Sequence, residues 1–76
     1  MNADDLQIIL DERPFEPIKI VVDNDREYEI RHPEMIYVME RVIVIGKPFD
    51  PAKGRPESFQ AIVGLSHISA VLPLAA

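Results

Sequence analysis

The chain has 76 residues, of which 47% are hydrophobic, and it carries 13 Asp and Glu against 8 Lys and Arg, for a net charge of −5. This length suits one small domain covering residues 1–76, and the hydrophobic content argues against intrinsic disorder. The lack of cysteine excludes disulfides and thiolate metal sites, and the acidic balance disfavours nonspecific nucleic-acid binding, which depends on Lys and Arg.

The sequence predicts neither a signal peptide nor a membrane span. The N-terminal stretch is acidic, and its apolar run is too short for a signal peptide. No segment approaches the ~20 apolar residues of a membrane span. We therefore expect a cytoplasmic protein, and no residue pattern indicates a cofactor.

The first segment is typical of an amphipathic helix. Asn2 suits the N-cap, Arg13 is expected in the last turn, and Pro14 ends the helix. Ile8 lies off the apolar stripe, either as ordinary surface or as a contact between subunits. The residues that form the stripe at helical spacing are Leu6, Ile9 and Leu10.

The next segment has the period of two that predicts β-strands. Residues 18–22 and the stretch "EYEIR" are expected to form a hairpin around the turn "DNDR". Pro33 has no amide hydrogen and pushes His32 to extended geometry, so "HPE" is interpreted as a turn and not as a catalytic cluster.

The middle of the chain combines a buried strand with a basic loop. Four consecutive β-branched residues, Val42 to Ile45, lack alternation, which is typical of a strand buried on both faces. The stretch "KPFDPAKGRPE" predicts a loop. Lys47, Lys53 and Arg55 make it a candidate binding loop, the alternative being a solvated hairpin connection.

The closing segments complete a mainly β pattern. "SFQAIVGL" predicts a strand, "SHIS" one turn of 3₁₀ helix and "AVLPL" a last strand. The order predicts an N-terminal helix followed by a small, strongly bent antiparallel barrel of five to six strands. The predicted core consists of Ile18, Ile20, Tyr28, Ile30, Val44, Phe59, Val63 and Leu72.

Two resemblances arise from these motifs. "RPFEPIKI", a polar turn, "YEIRHPE" and "LSHISAVLPL" resemble a group of small uncharacterised bacterial proteins with an SH3-like or Sm-like barrel, although "NDR" stands where those proteins have Gly-Arg. That resemblance implies an architecture and no mechanism.

The stretch "HISAVLP", from His67 to Pro73, is similar to the closing motif of Sm-like RNA chaperones. The similarity implies the Sm-like fold, and His67 matches the histidine of the motif. Ser66 stands where those chaperones carry an RNA-binding lysine, which together with the acidic charge disfavours RNA binding.

Three functions follow from these observations. The first is a noncatalytic interaction module that forms homo-oligomers, or binds another protein, through apolar strand surface; its outward residues are expected to be Ile8, Val21, Ile43 and Ile45. The second is an Sm-like RNA binder that uses Lys47, Lys53, Arg55 and His67. The third and least favoured is a metal-dependent hydrolase around His32, Glu34 and His67, whose spacing matches no ligand motif.

Overall fold

A computed structural model describes residues 1–46 and 60–74 in full, and residues 49–50, 55–56 and 59 by their backbone. The described chain is mainly β, with one N-terminal helix, short antiparallel strands and two 3₁₀ turns. Its Cα radius of gyration is 11.6 Å, close to the roughly 11.4 Å of a compact domain of this length. The elements are α1 (Ala3–Asp11), β1 (Ile18–Val22), β2 (Glu27–Ile30), a 3₁₀ turn (Pro33–Met35), β3 (Ile36–Val38), β4 (Val42–Gly46), β5 (Phe49–Asp50), β6 (Arg55–Pro56), β7 (Phe59–Gly64), a second 3₁₀ turn (Leu65–His67) and β8 (Ile68–Pro73).

Helix α1 begins and packs as its sequence predicts. The side-chain oxygen of Asn2 accepts a hydrogen bond from the Asp5 amide at 2.8 Å, which confirms the N-cap. Leu6 and Leu10 are buried, whereas Ile8 is 63% exposed. The helix ends at Asp11, so the prediction that Arg13 belongs to the last turn is wrong. The Arg13 guanidinium still donates to the Leu10 carbonyl at 2.8 Å.

The described strands form two three-stranded antiparallel sheets and a short pair. The first sheet has the order β2-β1-β8, the second has the order β3-β4-β7, and β5 pairs with β6. The two sheets share no strand in the described residues, so they are not closed into the single barrel that the sequence predicts. The chain passes from the first sheet to the second through the 3₁₀ turn Pro33–Met35, which His32 immediately precedes. Proline has no amide hydrogen to donate to a neighbouring strand, which favours a break in the sheet at this point.

The core lies between the two sheets and α1. The fully buried side chains are Leu6, Ile20, Ile30, Ile43 and Ile45. Of the predicted core residues, Ile18, Ile20 and Ile30 are buried, and Tyr28 and Val63 are half-buried against them. The side chain of Phe59 lies outside the described residues.

Two core predictions are wrong, and sheet register explains both. Val44 is half-buried on the face of β4 opposite to Ile43 and Ile45, which are fully buried. Leu72 is 45% exposed because it pairs with Lys19, whereas its neighbour Val71 pairs with the buried Ile20.

No helix in the described part of the chain is long and apolar enough to cross a membrane.

Candidate functional site

The predicted binding residues are only partly within the described structure. Lys47 and Lys53 lie outside the described residues, and Arg55 lies in β6 with its side chain also outside them. His67 is described, at the end of the second 3₁₀ turn. The arrangement of the basic loop around His67 therefore stays a prediction.

His67 is held against the β1–β2 turn by two contacts. Its Nδ1 lies 2.8 Å from Oδ2 of Asp23, which is 44 residues away in sequence. The Asp23 amide also donates to the His67 carbonyl at 2.9 Å. When the imidazole is neutral, donation from Nδ1 leaves Nε2 as an acceptor. Both side chains are more than half exposed, so this pair orients the ring and contributes little stability.

The lack of a side chain at Gly64 leaves room for the His67 imidazole beside β7. A Cβ added to Gly64 would lie 3.1 Å from Cδ2 of His67, closer than ordinary van der Waals contact, so a side chain there would displace the ring. An open groove runs from this point between the β1–β2 hairpin and β7. The residues that line it are Val22, Asp23, Asn24, Arg26, Tyr28, Ile62, Val63, Gly64 and His67.

The structure does not assemble the metal site considered for a hydrolase. His32 immediately precedes the first 3₁₀ turn and Glu34 lies in it, whereas His67 lies in the turn that follows β7. Within the described residues, no three His, Asp or Glu side chains are grouped as metal ligands. The groove around His67 also contains the polar side chains of Asn24, Arg26 and Tyr28.

The largest apolar side chains left exposed on a sheet lie on the second sheet. Tyr37 pairs with Val44 across β3 and β4, and Val44 pairs with Ile62 across β4 and β7. Paired residues of antiparallel strands project from the same face, so these three side chains form a row. Tyr37 is 68% exposed and Ile62 is 63% exposed.

A second row lies beside the first. The Met39 amide donates to the Val42 carbonyl at 2.9 Å, and Val42 pairs with Gly64. Met39 is 48% exposed and Val42 is half-buried. We call the two rows the outer sheet face, and its residues are Tyr37, Met39, Val42, Val44, Ile62 and Gly64.

The outer sheet face carries no charged side chain among its residues. Charges are instead abundant on the helix and on the β1–β2 hairpin. The acidic residues of those two elements and their turn are Asp4, Asp5, Asp11, Asp23, Asp25, Glu27 and Glu29. The hairpin acids are partly paired, with Glu29 at 2.8 Å from Arg31 and Glu27 at 3.5 Å from Lys19. Depletion of charge with an exposed aromatic residue is the composition that distinguishes the centre of protein interfaces.

The prediction that Ile43 and Ile45 face outward is therefore wrong. Ile43 and Ile45 are fully buried within one chain, and their outward neighbours are Val42 and Val44. The alternation of Tyr37 and Ile62 with inward residues was the available signal for the outer sheet face. The pairing of His67 with Asp23 has no local signal, because the two residues are 44 positions apart and only the fold brings them together.

Comparisons with protein-family models, with curated proteins and with solved structures gave no significant match to this chain.

Proposed function

We propose that this protein is a noncatalytic interaction module that self-associates through the outer sheet face. The observation that carries the proposal is the uncharged row Tyr37, Val44 and Ile62, whose two end residues are about two-thirds exposed. Large exposed apolar side chains in one contiguous patch are unusual on monomeric proteins and mark interaction surfaces.

We propose a second copy of the chain as the occupant, and the charges indicate which face two copies would use. Each copy has a net charge of −5, so two copies repel each other when they approach through the acidic helix or hairpin. The residues of the outer sheet face carry no charge, so repulsion between two copies is smaller there than at the acidic helix or hairpin. The patch is narrow, since three strands span only about 10 Å between the first and last strand axes. We therefore expect a weak dimer, populated at roughly tens of micromolar or above.

The proposal includes the fold family suggested by the sequence motifs. An N-terminal helix, short bent strands and a 3₁₀ turn before the last strand support an SH3-like or Sm-like small barrel opened at the Pro33 turn. Self-association through sheet surface would suit such a domain, because its interior is too small to hold a buried site.

The test compares two isoleucines of equal exposure. Ile62 on the outer sheet face and Ile8 on α1 are each 63% exposed. We expect the wild type to self-associate in sedimentation equilibrium at roughly 10–300 µM, and Ile62→Lys to weaken association by about tenfold or more. Ile8→Lys should sediment like the wild type. A wild type that stays monomeric over this range, or equal effects of the two variants, contradicts the proposal.

The alternative function is single-stranded RNA binding in the groove between the hairpin and β7. Tyr28, His67 and Arg26 line that groove and offer two rings for stacking and one cation for phosphate. Binding of RNA by wild type that weakens steeply with salt, and is lost in Arg26→Ala, would favour this alternative.

A further inference from the structure

Strands β2 and β7 each have one edge that pairs with no strand in the described part of the chain. β2 pairs with β1, and β7 pairs with β4. The groove beside His67 lies between these two strands, and a second hollow follows it along the same strands. The volumes of the two parts, about 380 and 390 Å³, are within the range of ligand sites. We call them together the β2–β7 groove. The residues that line its second part are Glu27, Glu29, Arg31, Met35 and Gln60.

The backbone of β2 presents alternate residues to its free edge. The Val22 amide donates to the Arg26 carbonyl at 2.9 Å, so these residues form a hydrogen-bonded pair. Hydrogen-bonded and non-hydrogen-bonded pairs alternate along an antiparallel ladder. The backbone groups of Tyr28 therefore bond to β1, whereas the amides and carbonyls of Glu27 and Glu29 point away from β1. Within the described residues, no strand pairs with these outward groups.

The side chains give the β2–β7 groove an apolar inner wall and a polar outer rim. Tyr28 pairs with the buried Ile20, so it points inward, and it lies half-buried against the core together with Val63. Both residues line the groove. Glu27 and Glu29 are exposed on the opposite face of β2. A strand laid along β2 would therefore place every second side chain against apolar surface and the others beside carboxylates.

We propose that the free edge of β2 binds an extended segment of another protein as an added strand, with apolar side chains at alternate positions facing Tyr28 and Val63. Main-chain hydrogen bonds supply the affinity of such additions, and alternate side chains supply the selectivity. The inference does not rest on the proposed self-association, because it uses a strand edge of the first sheet instead of the outer sheet face.

The acidic rim indicates the charge of the added segment. Lys or Arg suits the positions beside Glu27 and Glu29, and the net charge of −5 favours a basic segment over an acidic one. Lys19 and Arg31 already lie 3.5 and 2.8 Å from these carboxylates, so basic side chains add selectivity more than affinity. A second copy of β2 is a poor partner, because pairing two such edges places glutamates opposite each other.

Amide hydrogen exchange followed by NMR on the complete chain tests the added strand. The probe is a peptide of roughly eight residues that alternates Val and Lys. In its presence, exchange of the Glu27 and Glu29 amides should slow at least about tenfold. The amides of Val38 and Val71, on the free edges of β3 and β8, should keep their rates.

Three results would overturn the proposal. The first is no binding of the peptide at roughly 1 mM. The second is binding that slows exchange at Val38 or Val71 and not at Glu27 and Glu29. The third is slowing at Glu27 and Glu29 without peptide as the protein concentration rises, which would mean that a second copy covers this edge.

A modified peptide separates the backbone ladder from side-chain contacts. The Lys residues lie on the same face as Glu27 and Glu29, so their amides point to β2 in the proposed pairing. Methylation of the Lys backbone nitrogens removes these donors and keeps every side chain, and we expect it to weaken binding at least about tenfold. Equal binding of the methylated peptide would show that no ladder forms and would contradict the proposal.

Two variants at one position make the same separation in the protein. Glu29→Pro removes an outward amide and leaves the ladder to β1, since proline is tolerated on an edge strand. Glu29→Ala keeps the amide and removes the same carboxylate. We expect peptide binding to weaken at least about tenfold more in Glu29→Pro than in Glu29→Ala, with circular dichroism showing that both are folded. Equal affinities in two folded variants would overturn the pairing. A groove that binds oligouridine and not the peptide would also overturn it, in favour of RNA.

Discussion

At the scale of single residues, the β1–β2 turn depends on one unusual backbone conformation. Asp25 has a φ of 66°, and it is the only described residue other than glycine with positive φ. Its amide donates to the Val22 carbonyl at 3.0 Å, and the Val22 amide donates to the Arg26 carbonyl at 2.9 Å. This is the pattern of a three-residue hairpin loop, a type I turn followed by a left-handed residue. Asn24 supports it by accepting from the Arg26 amide at 3.2 Å.

Substitutions at Asp25 should follow the cost of that conformation. Asp25→Gly removes the steric cost of a Cβ at positive φ and should leave the free energy of unfolding within about 1 kcal/mol of wild type. Asp25→Val should lower it by about 1–2 kcal/mol, because a branched side chain is strained in the left-handed region. Urea unfolding measures both variants. Equal midpoints for Gly and Val would show that φ at this position is not restrictive.

Neighbouring residues of β4 should respond differently to truncation. Ile43 is fully buried, so Ile43→Ala should lower the free energy of unfolding by about 2–5 kcal/mol through lost transfer energy and a cavity. Val44 is half-buried on the outer sheet face, so Val44→Ala should lower it by about 1 kcal/mol or less in dilute protein. Chemical denaturation at low concentration measures the monomer. A larger loss for Val44→Ala would mean that the register of β4 is wrong.

At the scale of elements, the sequence correctly predicted the features that a few neighbouring residues determine. The Asn2 cap, the β1–β2 hairpin, the Pro33 turn and the second 3₁₀ turn are each fixed by a few neighbouring residues. Local signals did not predict which residues of β4 point into the core. Residues 42–45 are all β-branched, so their pattern fits either face, and the choice comes from pairing with β3 and β7.

The candidate site shows the same division between local and long-range information. The sequence placed His67 in one turn of 3₁₀ helix, where it lies. Its contacts with Asp23 in the β1–β2 turn and with Gly64 in β7 were not predictable from the sequence. They became evident only from the fold. The outer sheet face joins three strands whose order, β3-β4-β7, no local pattern encodes. Sequence alone suggested self-association through Ile43 and Ile45, and the structure buries both of these residues within one chain.

At the scale of the whole molecule, net charge separates the two candidate functions. Two copies with a net charge of −5 repel each other, and salt screens that repulsion. We expect the dissociation constant of the dimer to fall as salt rises from about 0.05 to 0.5 M. Binding of RNA should weaken over the same range, because salt opposes the release of counterions from phosphate. Sedimentation and fluorescence titration at each salt concentration measure the two effects. Dimerisation that weakens steeply with salt would point to ion pairs across the interface.

The pairing of β1 with β8 has a consequence for the way the protein is made. Ile18 pairs with Pro73, so the central strand of the first sheet lacks one neighbour until a segment some 50 residues later has been synthesised. At about 5–20 residues per second, synthesis of that stretch takes several seconds. A hairpin such as β1–β2 forms in microseconds. During translation, the edge of β1 that later pairs with β8 is therefore unpaired for seconds. In that time it can pair with other chains unless another molecule at the ribosome covers it.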